Sequence, residues 1–446
     1  MNLLDKASII LTPSAYNNGE ALCVKPSDGS GDFDFSRNSA ATRVNAQGLV
    51  EDVQILSSNL VQNGDFSEQG AEEVSNGSFS QQGSELVNNG SFDTDLSGWG
   101  ISGNSDADHT VTWTPQGARY QSTTTSPVLL LFQNVLTSGK TYKFTVDVSY
   151  TSGAIKLQTG TGADLFNPTL LEGSNTFYFT ASSVQFLFVR ASTNVDVSID
   201  NVSVVEVGQD WTLGTGWSVG EDKAVATSAT SSIFQVGLIV GVRYIMTVEV
   251  SNYTSGTLFP RLGYANEGEG FTSNGNFEFI GLCLGNGSVE LRALGFNGSI
   301  TNISVKEVGQ NWSLGTGWEI GNNVAISDTT ASNLTPSTTL VSGEKYKFTL
   351  DVAKITSGNF AFLLRFNGTN TTIATINTEG SFTFYATADA TGFRLQNLSG
   401  STTDFSVTNI TAVQITDDTN LPRINYEGFS YQDALGSELV TNGDFS

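Results

Sequence analysis

Along this chain short runs of alternating apolar and polar residues return three times. Residues 142–148 read Y-K-F-T-V-D-V, 244–250 Y-I-M-T-V-E-V and 346–352 Y-K-F-T-L-D-V, each run 102 residues after the one before. A period of two puts Tyr142, Phe144, Val146 and Val148 on one face and Lys143, Thr145 and Asp147 on the other, which predicts a half-buried strand. F-Y-F at 177–179, F-E-F at 277–279 and F-T-F at 382–384 keep that period. I-D-N-V-S-V at 199–204, I-T-N-I-S-V at 300–305 and V-T-N-I-T-A at 407–412 break it. There the apolar step is three, which a β-bulge at Asn201, Asn302 and Asn409 would produce. Turn signals such as T-S-G and N-G separate the runs, and no helical period appears.

A Trp- and Gly-rich string, G-Q-D-W-T-L-G-T-G-W at 208–217, returns as G-Q-N-W-S-L-G-T-G-W at 309–318, a step of 101 residues. That is the length of a small sandwich domain and too long for a solenoid unit. The expected fold class is all-β, with tandem antiparallel β-sandwich (jelly-roll) domains behind a small β-rich N-terminal anchor module. Taking Trp99, Trp217 and Trp318 as the opening landmark places the repeats at 85–207, 208–308 and 309–416. Ahead of them lie an anchor module at 1–60 and a segment at 61–84. This segment and its borders hold L-V-Q-N-G-D-F-S, E-V-S-N-G-S-F-S and L-V-N-N-G-S-F-D, which read as duplicated first strands with Asn-Gly turns. Residues 417–446 are expected to return to the anchor module and then begin a fourth copy, S-E-L-V-T-N-G-D-F-S, as a continuing chain or as a strand for another subunit.

The formal charge of −24, with only 20 Lys and Arg among 446 residues, argues against nucleic acid and anionic membrane surfaces as partners. A neutral or cationic partner fits better. No apolar run approaches the roughly 18 residues of a membrane span. Cys23 and Cys283 fall in different modules and read as two separate small apolar side chains. The single His, His109, reads as a solvated loop residue, which removes His-cluster metal sites and leaves little for a Ser-His-Asp apparatus. Paired carboxylates for glycoside hydrolysis need two acids at a fixed separation, and only one acidic position recurs. The chain is expected not to be an enzyme.

That acid is Asp147, Glu249 and Asp351, and an Arg recurs at the same step as Arg190, Arg292 and Arg394. One reading is a cross-strand ion pair on an outer face. The other puts the pair on a concave face, where guanidinium and carboxylate hydrogen-bond sugar hydroxyls. The glycan-binding candidates are Arg190, Asp147, Phe186, Phe188 and Trp113 in repeat 1, with Arg394 and Asp351 in repeat 3. Phe186 and Phe188 share strand parity with Arg190 and offer rings for a sugar to stack on. Trp99, Trp217 and Trp318 are expected to close the core, whereas Trp211, Trp312 and Trp113 are free to face a ligand. The long opening loop of repeat 1 makes it the expected principal site, and repeat 2 the least equipped.

Two resemblances add to this. F-S-R-N-S-A-A-T-R-V-N-A-Q-G-L-V-E, at 35–51, resembles the N-terminal segment of tailed-phage fibre and virion-surface proteins. There a P-R-I-D-Y phrase follows soon after, whereas here P-R-I-N-Y comes only at 422–426. The repeat array thus looks inserted into that module. The resemblance implies a virion-surface location. Residues 1–60 carry few long apolar runs and would make a marginal core alone, so they are expected to be completed by contacts with other virion subunits or by self-association as a homo-oligomer, a trimer. N-G-D-F or N-G-S-F, then G-W, then Y-x-F-T and a final I-D-N-V-S-V are similar to galactose-binding-like, jelly-roll carbohydrate-binding modules. That likeness implies glycans of a host surface as partners and a structural Ca²⁺ in repeat 1, held by Asp200 and by backbone near Asn89. A purely structural fibre spacer is the alternative, and another is an accessory glycan-binding region of a secreted polysaccharide-degrading protein.

Overall fold

The computed structural model describes residues 55–417 apart from 105, 161–164, 328–331, 357–361 and 398–403. It also gives the backbone of Thr12–Pro13, Glu20–Ala21, Phe33–Asp34, Thr42–Val44, Val50–Asp52 and Ile424–Asn425. The rest of the anchor module, Cys23 and the fourth copy at 437–446 lie outside the described residues.

Every described element is a strand, and apart from three two-stranded ladders in the terminal segments the strands form three antiparallel sandwiches. In sandwich 1 the first sheet runs His109–Thr114, Gly117–Ser122, Val195–Val207, Thr141–Ser152, Gly173–Thr180. Its second sheet runs Ile155–Thr159, Phe186–Arg190, Leu130–Gln133, Gly100–Ser102. Sandwich 3 repeats the plan with one strand more, its second sheet running Trp312–Leu314, Asn333–Pro336, Phe393–Asn397, Phe362–Phe366, Thr372–Ile376. In sandwich 2, Arg243–Leu262 and Ser288–Val308 are long enough to pass from one sheet to the other, and register shifts mark the crossing. Sandwiches 1 and 2 belong to the compact unit 69–308, and sandwich 3 to a second unit of 1–68 and 309–446.

The row of near-identical first strands is shared out among the sandwiches. Gln82–Glu85 pairs with Val195–Val207 in sandwich 1, Gln69–Glu72 with Ser288–Val308 in sandwich 2, and Ile55–Asn59 with Asp404–Asp417 in sandwich 3. The order is reversed, so the sandwiches are nested: the first interrupts the second, and the second interrupts the third. The backbone pairing of Thr12 with Asn425 and Pro13 with Ile424 brings the P-R-I-N-Y phrase back to the N-terminal segment.

Each first strand docks by the same local chemistry. Asn89, Asn76 and Asn63 adopt φ of 54°, 50° and 49°, which Asn tolerates better than most residues. The Gly that follows lies so close to the last strand that a Cβ on Gly90, Gly77 or Gly64 would sit 2.0, 1.9 or 2.0 Å from the carbonyl oxygen of Val202, Ile303 or Ile410. Three residues beyond each Asn, Phe92, Phe79 and Phe66 also take positive φ and place their rings 5.0, 5.4 and 5.0 Å from Trp99, Trp211 and Trp312. The three indole N–H groups donate to the carbonyls of Asn89, Asn76 and Asn63 at 2.9, 3.0 and 2.9 Å. Trp99 is therefore the counterpart of Trp211 and Trp312. Trp217 and Trp318 are a different pair, donating to the carbonyls of Ser231 and Ser332. Because Trp211 and Trp312 are each only 8% exposed, they close the core and do not face a ligand.

Alternation holds where the sequence shows it: Tyr142, Phe144, Val146 and Val148 are buried, and Lys143, Thr145 and Asp147 half-buried. The phenols of Tyr142, Tyr244 and Tyr346 each accept the backbone N–H five residues upstream, fixing the preceding turn. His109 is not the solvated loop residue expected from the sequence. It is 1% exposed, with Nδ1 2.9 Å from Asp106 and Nε2 3.0 Å from the Thr124 hydroxyl, because it lies in the first-sheet strand His109–Thr114 and not in a loop. Cys283 is a buried free thiol whose pKa burial pushes up.

Candidate functional site

The recurring acid has a structural task. Between Thr145↔Ser203 and Asp147↔Asp200 the ladder takes up one extra residue, and the same shift recurs in the other two sandwiches. The bulge residues Asn201, Asn302 and Asn409 sit at φ of 49°, 51° and 52°. Their amides donate to Asp147, Glu249 and Asp351 at 2.9, 2.8 and 2.6 Å. Hydrogen bonds from Ser174 and Asn201 hold the Asp147 carboxyl below its ordinary pKa, and those from Ser381 and Asn409 do the same for Asp351. The acid recurs because the bulge recurs.

Acid and Arg do not meet, since Asp147 is on the first sheet of sandwich 1 and Arg190 on the second. Nor do the three Arg residues occupy one position. Gln133 and Gln235 fill the same role, each exchanging two hydrogen bonds with the backbone just before the Asn-Gly turn, which makes Leu131 and Ile233 equivalent. Pairing of Thr212 with Phe234 and of Ser313 with Thr335 adds Leu334 to that set. Their partners across the ladder are the core residues Phe188, Leu291 and Leu395. Arg190 is two residues past its core residue, Arg292 one past, and Arg394 one before.

Parity then decides the fate of each. Arg190 shares the inward parity of Phe186 and Phe188, both of which are 0% exposed core rings and cannot offer a face to a sugar. Its guanidinium, at the strand end, donates to the carbonyls of Thr124 and Thr125. Trp113, 40% exposed, lies on the first sheet and donates to the Phe92 carbonyl at 2.6 Å. For the expected Ca²⁺, the Asn89 amide is committed to the carbonyls of Asp95 and Ser97, and Asp200 caps the Asn201 N–H at 2.8 Å. Among the described residues no three His, Cys, Asp or Glu side chains converge as a metal-binding group.

What remains is the outward face of the second sheet, where the sandwiches diverge. In sandwich 1 it carries Leu130, Phe132, Leu187 and Val189 with Lys156 and Gln158, all half-buried. In sandwich 2 the cross-strand rows are Phe234–Glu290–Arg261 and Ser232–Arg292–Phe259. The Arg292 guanidinium lies 4.5 Å over the Phe259 ring and forks onto Glu267, Nε to Oε2 at 2.7 Å and Nη2 to Oε1 at 2.9 Å. Arg261 donates to the same Glu267 at 2.5 Å and to Glu290 at 3.3 Å. Those hydrogen bonds, Arg292 first, hold Glu267 below the ordinary glutamate range. In sandwich 3, Arg365 pairs across the ladder with Arg394. Sequence reasoning missed this face because inward and outward parity on the second sheet depends on which residue meets Leu131, Ile233 or Leu334, and the step of 102 residues hides a slip of one or two positions. Phe259 and Arg261, in a run that alternates Leu258, Phe259, Pro260, Arg261, Leu262, carried the usable signal.

No family model and no curated protein sequence matches the chain. Among solved structures it is similar to the N-terminal tandem CBM22 domains of Paenibacillus barcinonensis Xyn10C, at 12% identity over 51% of this chain and 97% of that one, with a TM-score of 0.22. It is also similar to a chain in the atomic structure of Sulfolobus turreted icosahedral virus, at 10% identity over 67% of this chain and 85% of that one, with a TM-score of 0.16. A third likeness, to the triple jelly-roll fold of an archaeal virus turret, has 10% identity over 67% of this chain and 84% of that one, with a TM-score of 0.16. The all-β sandwich assignment stands on the strand pairings themselves.

Proposed function

We propose that this chain is a non-enzymatic glycan-binding protein of a virion surface, displaying the outward second-sheet faces of its nested sandwiches. The observation that carries the reading is the contrast between a bulge, a turn and a Trp–Phe docking that recur in all three copies and one face that differs in each. In sandwich 2 that face combines Phe234 and Phe259 with Arg261, Arg292 and Glu290. Rings that can stack on a sugar and charged groups that hydrogen-bond its hydroxyls are the side chains such recognition uses. Tandem weak sites gain avidity through effective concentration, a physical reason to repeat the module. The virion part of the reading rests on the F-S-R-N-S-A-A-T-R and P-R-I-N-Y phrases. We also take the anchor module to contact other virion subunits, with a trimer as the expected oligomer.

A panel of immobilised neutral and acidic polysaccharides tests this. The full chain should be retained on at least one, and Arg292→Ala should weaken retention while Arg190→Ala does not. No retention on any polysaccharide would favour the spacer. That alternative draws on the Arg261–Glu267–Arg292–Glu290 network, which already satisfies its own charges.

A further inference from the structure

Two pairs of arginines occupy the outward second-sheet faces of sandwiches 2 and 3, and only one pair is neutralised. Arg261 and Arg292 share Glu267, and Arg261 also meets Glu290. Arg365 and Arg394 face each other across neighbouring strands, and among the described residues no carboxylate pairs with either. Arg365 donates to the Thr372 hydroxyl and to the side-chain Oε1 of Gln396, both at 3.2 Å. Arg394 is 8% exposed, donating from Nη1 to the Phe366 carbonyl at 2.8 Å and to Asn367 Oδ1 at 3.2 Å, and from Nη2 to Asn370. Its Nε is buried with no partner. Asp389, beside the neighbouring hairpin, accepts from the hydroxyls of Thr369 and Thr371 instead.

A guanidinium has five N–H donors, and the Nε–Nη2 edge is the fork that matches a carboxylate. On two other arginines that edge is filled: Arg292 forks onto Glu267 and Arg119 onto Asp196, the latter at 2.8 and 2.7 Å. On Arg394 it is left without a carboxylate. Two like charges side by side, one of them buried, persist at a cost that an anion would offset. Burial and then the Arg365 charge lower the Arg394 pKa.

We infer that the outward face of sandwich 3 is a site for a carboxylated sugar, a uronic acid unit of an acidic polysaccharide, whose carboxylate meets Arg365 and reaches the buried Nε edge of Arg394 by displacing the Asn370 side chain that now accepts from Nη2. This rests on the glycan reading and names the ligand class for one face. The net charge of −24 does not forbid it, because the Debye length at physiological salt is about 8 Å and two adjacent guanidiniums dominate within it.

The test is calorimetric titration of the full chain with a galacturonic acid oligosaccharide and with its methyl ester, at physiological salt. The acid should bind and the neutral ester should not. Arg365→Gln should weaken binding about tenfold, the size of one charge-assisted contact. Gln396→Glu places a carboxylate where Arg365 now meets an amide. It should weaken binding and raise the unfolding temperature, and it keeps the inference testable if Arg365→Gln fails to fold. Equal binding of acid and ester overturns the inference while the glycan reading stands. Binding of neither overturns it as well, and retention on the polysaccharide panel then decides the glycan reading separately. Acid binding unchanged in both variants would move the site elsewhere and also overturn it.

Discussion

The two sheets of each sandwich tell opposite stories. On the first sheet the bulge Asn, its acidic partner and the docked Asn-Gly turn recur in all three copies, as does the Trp-on-Phe stack that closes the core beside that turn. On the outward face of the second sheet the equivalent positions hold Leu187 and Val189, then Glu290 and Arg292, then Arg394 and Gln396. Each sandwich has to keep a positive-φ bulge satisfied and its first strand seated, and those demands admit few residues. An outward face has no such demand, so what it carries is free to be set by a ligand.

The sharpest way to break this comparison is to attack the repeated part. Gly90→Ala sets a methyl group 2.0 Å from the Val202 carbonyl oxygen, against backbone that cannot yield without unseating the first strand. We expect a loss of about 3 kcal/mol in denaturant unfolding of sandwich 1. Gly139→Ala, where φ is +86° and the added Cβ meets nothing within 4 Å, is the control for backbone strain alone, at about 1 kcal/mol. Equal losses would mean that docking of the first strand contributes little.

Asn302→Ala removes the donor to Glu249 and leaves a residue ill-suited to φ of 51°. Loss of stability should be about 1–2 kcal/mol. Asn302→Gly relieves the φ strain but not the missing bond, so it should recover part of the loss. If the glycine variant matches wild type, the acid is not repeated for the sake of the bulge.

The smallest effect is on the variable face. Glu267 has its folded pKa depressed below the ordinary 4.5 by Arg292 and Arg261. Its contribution to stability is therefore complete above pH 4.5 and is lost as pH falls through the lower folded value. Glu267→Gln should flatten the acid limb of thermal unfolding for sandwich 2 without changing its neutral-pH fold. A limb unchanged by the substitution would show that the network is too solvated to matter.

Much of the architecture was legible in the chain because it is written in local terms. A period of two in Tyr142–Val148 gives a strand, a step of three at Asn201 gives a bulge, and Asn-Gly before Phe gives a turn, each fixed by sterics within a few residues. Three things were decided only by tertiary structure. Which near-identical first strand serves which sandwich follows from nesting, since the innermost copy is adjacent in sequence to the first sandwich and each outer copy must wait for the next. Whether Phe186 and Arg190 face in or out depends on their partner across the ladder, and a shift of one residue reverses every side chain. Whether an arginine is neutralised depends on loops such as the one bearing Glu267, which folds back on Leu258–Leu262 and so comes within reach of Arg292 on the neighbouring strand. The sequence alone determined that sandwiches recur, because their cores and turns are local patterns, and the folded chain decided what each face presents, because charge balance is a property of neighbours in space.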